Sequence, residues 1–508
     1  MKKHLRFLNG RLFYTVLLLV AQGLLLYGLI YWASVDLPVN FIFSAVSAVV
    51  AFWVVSDEEN PGYKILWLMA ILMLPFFGVI MYWIFGNRTP GVPLYKKVRS
   101  STYKGSFKRL EQNGDVLGAL QKEDLGAARQ AAFISKTTGL PLHRQTATEY
   151  FSPLEPLFEK MKAEMRRADK YIFLEFFAIN EGVMWSEILD ILVQKAEEGL
   201  DVRVIYDDMG TIKNLPAHYN RTLEAEGIQC VVFNPMIPVL SVRHNNRNHR
   251  KVCIIDGRIG YTGGFNISDE YINKEERFGH WVDSGVELRG RAVENLLAPY
   301  IGMWNFLRRD EDVLEDFLPV CDMPAGDGFV LPYTVDPYME EDPAADIYIN
   351  MITRAESYIY INTPYFIIDH AMEHALASAA LSGVDVRICF PGIPDKYFTN
   401  LLSKSFFPSL LKAGVRVYTY SKGFIHSKTF VSDDKSAIVG SINLDYRSMF
   451  LHFEDAVWMY KSRAVKQLKA DFEGRLRECR LMTLEDIQNM PWHQKIICIL
   501  LKPFAPLF

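Results

Sequence analysis

His249-Arg250-Lys251-Val252-Cys253-Ile254-Ile255-Asp256, followed by Gly263-Gly264-Phe265-Asn266, is the stretch on which the reading of this chain turns. It returns as His426-Ser427-Lys428-Thr429-Phe430-Val431-Ser432-Asp433, followed by Gly440-Ser441-Ile442-Asn443. In each copy Lys follows His by two residues, Asp by seven, Gly by fourteen and Asn by seventeen. A lone histidine in an apolar run is usually a packed core residue. Two copies in register over eighteen residues, a domain's length apart, point instead to duplicated chemistry.

Residues two apart on an extended segment share a face, so each His presents its ring to the same pocket as its Lys. Imidazole is a nucleophile and a proton carrier near neutral pH. The ammonium suits an anionic oxygen such as that of phosphate, and the carboxamides of Asn266 and Asn443 offer further donors. Asp256 and Asp433 complete the two motifs. Each follows a largely apolar, strand-like run and precedes a turn, so each reads as a turn or structural carboxylate within the motif, not a proton carrier. Two half-sites face to face would hold two His, two Lys and two Asn around one phosphoryl group. One His would attack while the other protonates the leaving oxygen.

This doubled pattern resembles the phospholipase D superfamily, whose members carry two His-x-Lys-x4-Asp motifs and form a phosphohistidine intermediate without metal. The resemblance runs from about Tyr150 to the C-terminus. It implies an α/β fold in which two duplicated phospholipase D-like sheet domains pack around one shared active site, preceded here by an N-terminal helical membrane region. It also implies a later carboxylate in each half that orients the catalytic imidazole. By spacing, Asp283 and Glu454 fit that role, with Asp455 a rival, since only one of two adjacent strand residues faces a site. The position fifteen after the His is Gly264 in the first half and Ser441 in the second, so any hydroxyl help in binding phosphate comes from the second half alone. The expected catalytic set is therefore His249, Lys251, Asp256, His426, Lys428 and Asp433, supported by Asn266, Asn443, Ser441, Asp283 and Glu454. No metal or cofactor is expected, because no compact His/Cys/Asp cluster stands apart from the two motifs.

At 508 residues the chain exceeds a single core. Half of it is hydrophobic and the net charge is only −4, so no general nucleic-acid-binding field is implied. Its six Cys are scattered without a Cys-x-x-Cys pair, which favours neither a zinc site nor a disulfide scaffold and is compatible with a reducing compartment. Leu12–Ser34, Leu37–Val55 and Ile65–Phe85 are uncharged and of near-spanning length, which makes 1–86 a transmembrane region of two or three helices. Lys2, Lys3, Arg6 and Arg11 precede it and a run of Lys and Arg between 88 and 109 follows it. The positive-inside rule then places both flanks in the cytoplasm and demands an even number of crossings. Three runs conflict with that, and Leu37–Val55, with its Pro38 and Asn40, is the candidate for a re-entrant segment.

Residues 87–149 read as a basic juxtamembrane linker. The basic stretch 86–109 is either attracted to anionic headgroups or a cytoplasmic flank that fixes topology, and can be both. Domain 1 is expected at 150–322 and domain 2 at 323–508, divided where Pro, Gly and Asp cluster near 318–328. Both halves alternate helix and strand, and Asp201-Val202-Arg203-Val204 is echoed by Asp385-Val386-Arg387-Ile388. Glu175, inside a buried strand, either lines the pocket or binds a glycerol hydroxyl, or else is satisfied by backbone at the strand's end. Thr363-Pro364-Tyr365-Phe366 ends a strand and is expected to wall the pocket. The apolar tail Trp492–Phe508 is read as packing on the second domain or lying at a membrane interface, the former being commoner.

Within the superfamily, Asn60-Pro61-Gly62-Tyr63-Lys64-Ile65-Leu66-Trp67, Pro75-Phe76-Phe77-Gly78 and Phe85-Gly86 resemble the amino-terminal signature of bacterial cardiolipin synthases. Gly440-Ser441-Ile442-Asn443-Leu444-Asp445-Tyr446-Arg447-Ser448 is similar to theirs as well. This resemblance implies transfer of a phosphatidyl group from one phosphatidylglycerol to another, releasing glycerol. It implies a multi-pass protein of the cell membrane in contact with anionic lipid, its catalytic region cytoplasmic and no nucleic acid among its partners. The hydrophobic run that precedes the usual pair departs from the commonest pattern. Hydrolysis of the phospholipase D type, or another phosphatidyl transfer, is the alternative. A tethered nuclease would call for an extended basic face beside the motifs, and a scaffold without catalysis would be expected to have lost a motif His or Lys.

Overall fold

Each half of the chain builds one mixed sheet from the same succession of elements. The computed structural model describes residues 16–18, 20–24, 27–28, 37–86, 110, 114–237, 242–319, 326–339 and 342–508. Most of the first hydrophobic run and the basic stretch 88–109 lie outside them. The first half contributes β1 (Thr146–Phe151), β2 (Tyr171–Phe176), β3 (Asp201–Asp207), β4 (Gln229–Phe233), β5 (Lys251–Ile255), β6 (Ile259–Gly263), β7 (His280–Val282) and β8 (Gly285–Gly290). The second contributes β9 (Phe329–Val335), β10 (Tyr358–Asn362), β11 (Asp385–Pro391), β12 (Arg416–Tyr420), β13 (Gly423–Ile425), β14 (Thr429–Ser432), β15 (Ser436–Gly440), β16 (Glu454–Tyr460) and β17 (Cys479–Leu481).

The sheet orders are β1-β8-β6-β5-β2-β3-β4 and β17-β12-β11-β10-β14-β15-β16-β9. The motif strands β5 and β14 occupy matching central places, each antiparallel to the strand (β2 or β10) that opens its parallel run. Both are buried along their whole length, which is why Val252–Ile255 reads as a continuous apolar run without alternation. β7 and β13 leave their sheets and pair with each other in parallel, stitching one half to the other.

Asp256 and Asp433 end these strands, and their place corrects their grouping with the catalytic residues. Each has a positive φ (51° and 56°) at the turn. The Asp256 carboxylate accepts the backbone N–H groups of Asp169, Lys170 and Tyr171 at 2.8–3.0 Å. Asp433 does the same for Glu356, Ser357 and Tyr358 at 2.8–3.0 Å. They clamp the start of the neighbouring strand, at the far end of β5 and β14 from the histidines. The last motif residue therefore fixes strand register, as a turn carboxylate does.

The stretch 87–149 is not a linker throughout. Helices Gly114–Glu123 and Leu125–Thr138 belong to the folded body, where Trp458 Nε1 donates to Gln130 Oε1 (2.9 Å) and Tyr460 OH to Asp124 Oδ2 (3.2 Å). β1 likewise begins ahead of residue 150. Tail helix Trp492–Leu501 packs on the second domain through Cys498, whose thiol meets the Leu401 carbonyl, yet leaves Trp492, Ile499 and Leu500 exposed. The tail thus packs on the second domain, and one apolar face of the same helix stays exposed.

Ile65–Phe85 does not form one helix. Pro61–Met73 and Pro75–Phe85 are separate helices, broken at Leu74, whose ψ is 73°, with Pro75 opening the second. The rings of Trp67 and Tyr82 lie 5.5 Å apart, whereas fifteen residues of straight helix would part them by roughly 22 Å. The run is a hairpin. Gly78 sits at the close approach: a Cβ there would stand 2.2 Å from the Ala70 carbonyl oxygen. Among the described residues no helix is both long and apolar enough to cross a membrane, so the third run is corrected from a span to a folded-back pair. The hairpin's base is tied to the second domain. Asn60 caps its first helix by accepting Gly62 N–H (2.9 Å) and donates to Asp369 Oδ2 (3.0 Å). Tyr63 packs edge-on against Tyr446 and Phe450.

The hairpin predicts a cross-link. In a variant freed of its native cysteines, Trp67→Cys paired with Tyr82→Cys should be joined by a short bismaleimide in high yield. A straight helix would hold the two thiols too far apart to react with the same reagent molecule.

Candidate active site

The two motif histidines enter the site through a crossed backbone exchange. The His249 N–H donates to the Phe453 carbonyl (2.8 Å), and the His426 N–H donates to the Val282 carbonyl (2.7 Å). Those carbonyls belong to the residues just before Glu454 and Asp283. Each motif is thereby fastened to the carboxylate-bearing strand of the opposite half, and the side chains follow. His249 Nδ1 lies 2.9 Å from both oxygens of Glu454. His426 Nδ1 lies 2.6 Å from Asp283 Oδ2. The resemblance, read through spacing, offered Asp283 and Glu454 with Asp455 as a rival; the structure pairs Asp283 and Glu454 each with the motif imidazole of the opposite half. An Nδ1–H held by a carboxylate leaves the Nε2 lone pair available for chemistry.

The Gly264/Ser441 asymmetry has a structural use. The buried Ser441 hydroxyl donates to Glu454 Oε2 and accepts the Asp455 N–H (3.0 Å), so it braces the carboxylate rather than offering itself to phosphate. A Cβ at Gly264 would stand 2.2 Å from Asp283 Oδ1, so the first half keeps glycine to seat its carboxylate. Strand alternation also separates Glu454 from its rival. Asp455 faces the first sheet, accepting from the Thr262 hydroxyl and from the Lys251 N–H (3.3 Å).

Lys251 and Lys428 are fully buried, and each donates to the carbonyl of its own motif histidine. Lys428 Nζ also lies 2.8 Å from His426 Nδ1. Burial pushes Lys251 down to about 8 and Lys428 down to about 7, against the pull of Glu454 and Asp283. Burial and the neighbouring ammonium of Lys428 push His426 down to about 4, while burial and Lys251 hold His249 well below the usual imidazole range. The unliganded site thus carries neutral imidazoles beside weakly held ammonium protons, an arrangement that an anion would stabilise. Asn266 donates to Tyr271 OH (2.8 Å) and accepts the Ala178 N–H (3.2 Å). The buried Asn443 Oδ1 has no partner among the described residues.

Glu175 stands apart from this chemistry. It is 1% exposed and meets Asn248 Nδ2 at 2.5 Å and Arg250 Nη1 at 3.4 Å, anchoring the approach to the first motif. Thr363–Phe366 supports the second motif, with Thr363 Oγ1 accepting the Leu444 N–H (3.3 Å) and Phe366 bridged to Leu444. Several neighbours were not legible beforehand. Asp207, pushed up to about 6 by burial, accepts the Asn248 N–H (3.0 Å) and meets Arg247 Nη1 at 3.3 Å. Phe177 packs edge-on 5.1 Å from His249, and Tyr271 and Trp281 lie 5.4 and 5.3 Å from His426. His452 lies 5.5 Å from His249, and the ligand atoms of His249, His452 and Glu454 fall within 4.8 Å of one another, near enough to hold a metal ion. The one available signal was that Trp281 and His452 each stand two residues before a carboxylate.

A family model described as "Cardiolipin synthase, PLD-like domain" matches residues 161–284 and 348–476, and one described as "Phospholipase_D-nuclease N-terminal" matches residues 45–87. A cardiolipin synthase of Halalkalibacterium halodurans is 34% identical over 88% of this chain and 90% of its own length. One of Alkalihalophilus pseudofirmus is 31% identical over 96% and 97%. Among solved structures, phosphatidylserine synthase of Haemophilus influenzae Rd KW20 aligns with a TM-score of 0.56 at 16% identity, covering 75% of this chain and 98% of that one, a likeness of fold.

The depressed lysines set a pH dependence. As pH rises through 7 and then 8, Lys428 and Lys251 lose their protons in the unliganded protein. A bound anionic phosphodiester raises both values again. kcat/KM should therefore fall on the alkaline side at lower pH than kcat does, in parallel profiles recorded from pH 6 to 10. A level kcat/KM across that range would mean that ammonium charge is not needed for capture.

Proposed function

The chain belongs to the bacterial cardiolipin synthases of the phospholipase D superfamily and is a phosphatidyltransferase, and we propose that its crossed half-sites act in turn on one phosphodiester. The observation that carries this reading is the crossing itself, which gives each imidazole an orienting carboxylate and sets His426 within the electrostatic field of His249. His249 Nε2 attacks the phosphorus of phosphatidylglycerol, forming a P–N bond as the P–O bond to the glycerol headgroup breaks. The phosphodiester's negative charge favours the imidazolium form of His426, which gives its proton to the departing glycerol oxygen. A hydroxyl of a second phosphatidylglycerol then attacks phosphorus and hands its proton to His426. The P–N bond breaks and cardiolipin leaves. Lys251 and Lys428 stabilise the charge on the equatorial oxygens throughout. Water in place of the second lipid would yield phosphatidic acid, and the burial of the pocket favours lipid.

The same proposal places the protein at the cell membrane with its catalytic region cytoplasmic. Folding the third hydrophobic run into a hairpin takes one candidate crossing out of the tally, and an even number of crossings would keep both basic flanks on one side. The hairpin leaves Leu72, Met73 and Trp83 exposed, and the tail leaves Trp492, Ile499 and Leu500 exposed. Surfaces of this kind suit the lipid interface, with anionic phosphatidylglycerol as the lipid met there.

Incubation of the purified protein with labelled phosphatidylglycerol should yield labelled cardiolipin and free glycerol; phosphatidic acid alone would make it a hydrolase. The division of labour between the imidazoles is tested by trapping. With a lipid substrate whose leaving group needs no proton, His426→Ala should still load phosphatidyl onto His249, and His249→Ala should load none. Adding Asp283→Ala to His426→Ala should cost little more, because Asp283 acts through the ring already removed. Adding Glu454→Ala should suppress loading about 100-fold or more. Phosphoryl mapped to His426 would reverse the roles.

A further inference from the structure

His452 is a buried imidazole that the reaction above does not use. Its side chain is 11% exposed, and neither ring nitrogen has a hydrogen-bond partner among the described residues. Its Nδ1 lies 3.6 Å from Glu454 Oε1, beyond hydrogen-bond range. The backbone holds it firmly: its N–H donates to the Arg447 carbonyl (3.0 Å), and the next N–H, of Phe453, donates to the Arg247 carbonyl (2.8 Å). A rigid, desolvated imidazole without partners is costly to keep unless something that enters the pocket completes it.

The pseudo-symmetry of the site says where that something binds. Trp281 and His452 each stand two residues before the carboxylate of their own half, and each packs against the imidazole of the other half, at 5.3 and 5.5 Å between ring centroids. Trp281 Nε1 is also buried without a hydrogen-bond partner among the described residues. Each reacting imidazole therefore has beside it a ring with at least one unsatisfied nitrogen: both nitrogens of His452 by His249, and Nε1 of Trp281 by His426. The neighbouring charges decide the chemistry on the His452 side. Burial, and then the positive charges of Arg447, Lys251, Arg247 and Lys396, hold this ring well below the usual imidazole range. A divalent cation shared by His249, His452 and Glu454 would stand among those cations. An anionic oxygen would be drawn to them.

We propose that His452 donates a hydrogen bond from its neutral ring to a non-bridging oxygen of the bound phosphodiester, a substrate contact beside Lys251 on the His249 side of the pocket. The proposal rests on the phosphodiester reading above. It makes the two half-sites chemically unequal, since Trp281 can only donate whereas an imidazole also accepts.

The test uses the full-length, detergent-solubilised protein and orthovanadate as an anionic phosphate mimic. His452→Phe keeps a ring without a donor, His452→Leu removes the ring, and His452→Gln restores an N–H. Both donor-less variants should bind orthovanadate about 10-fold more weakly or worse, with KM for phosphatidylglycerol rising in step, while His452→Gln stays within about threefold of the parent. Because Phe and Leu disturb packing differently, a defect common to both and absent from Gln reports the lost donor. Unchanged orthovanadate affinity in the folded Phe and Leu variants overturns the proposal. So does zinc inhibition of the parent that these variants abolish without loss of orthovanadate affinity, which would make His452 a metal ligand. If the parent yields phosphatidic acid instead of cardiolipin, the transferase reading fails while the orthovanadate comparison still stands.

Discussion

Everything in this structure answers to the carboxylate that reaches from one half of the chain to the imidazole of the other. A phosphoryl-transfer pocket that keeps water out must bury two imidazoles, two ammonium groups and their counter-charges, and unpaired buried charge is prohibitively costly. The crossed pairs His249–Glu454 and His426–Asp283 meet that demand for the rings. The lysines are met only in part, by carbonyls of their own motifs and by the carboxylates' field, which is why burial depresses both. An anionic substrate would supply the missing counter-charge. Neither sheet holds a complete half-site alone, because each lends its carboxylate away.

The crossing is built from the backbone outward. The N–H groups of His249 and His426 bind carbonyls of the opposite half, and β7 pairs with β13 across the same boundary. Once those strands are registered, alternation decides that Glu454 faces the pocket and Asp455 faces Thr262 and the first sheet. Ser441 and Gly264 then fill what space each carboxylate leaves, one by bracing, the other by vacating.

The N-terminal hairpin is joined to this machinery at a definite point. Tyr446 and Phe450, which hold Tyr63 of the hairpin, lie on the short helix Tyr446–Phe450, between Asn443 and Glu454 in sequence. The segment that shapes the second half-site is therefore also the seat of the hairpin. Gly62 is required there, since a Cβ would stand 2.5 Å from the Tyr446 hydroxyl.

What the sequence determined by itself was whatever rests on short-range order and repetition: the duplicated His-x-Lys motifs, the alternation of helix and strand, and the two central apolar strands. Asp283 and Glu454 entered as candidates through the family resemblance, with Asp455 left as a rival until the strands were docked. Asp256 and Asp433 were legible as turn carboxylates, because a turn is local. The hairpin in Ile65–Phe85 was not, for a proline in a long apolar run is compatible with a kink or a reversal, and packing of Trp67 on Tyr82 chooses between them. Which carboxylate serves which histidine, the bracing role of Ser441, the packed helices within 114–138 and the arrival of His452 beside His249 were decided only in three dimensions. Each depends on how two similar sheets dock, and sequence separation carries no record of contacts made across such a boundary.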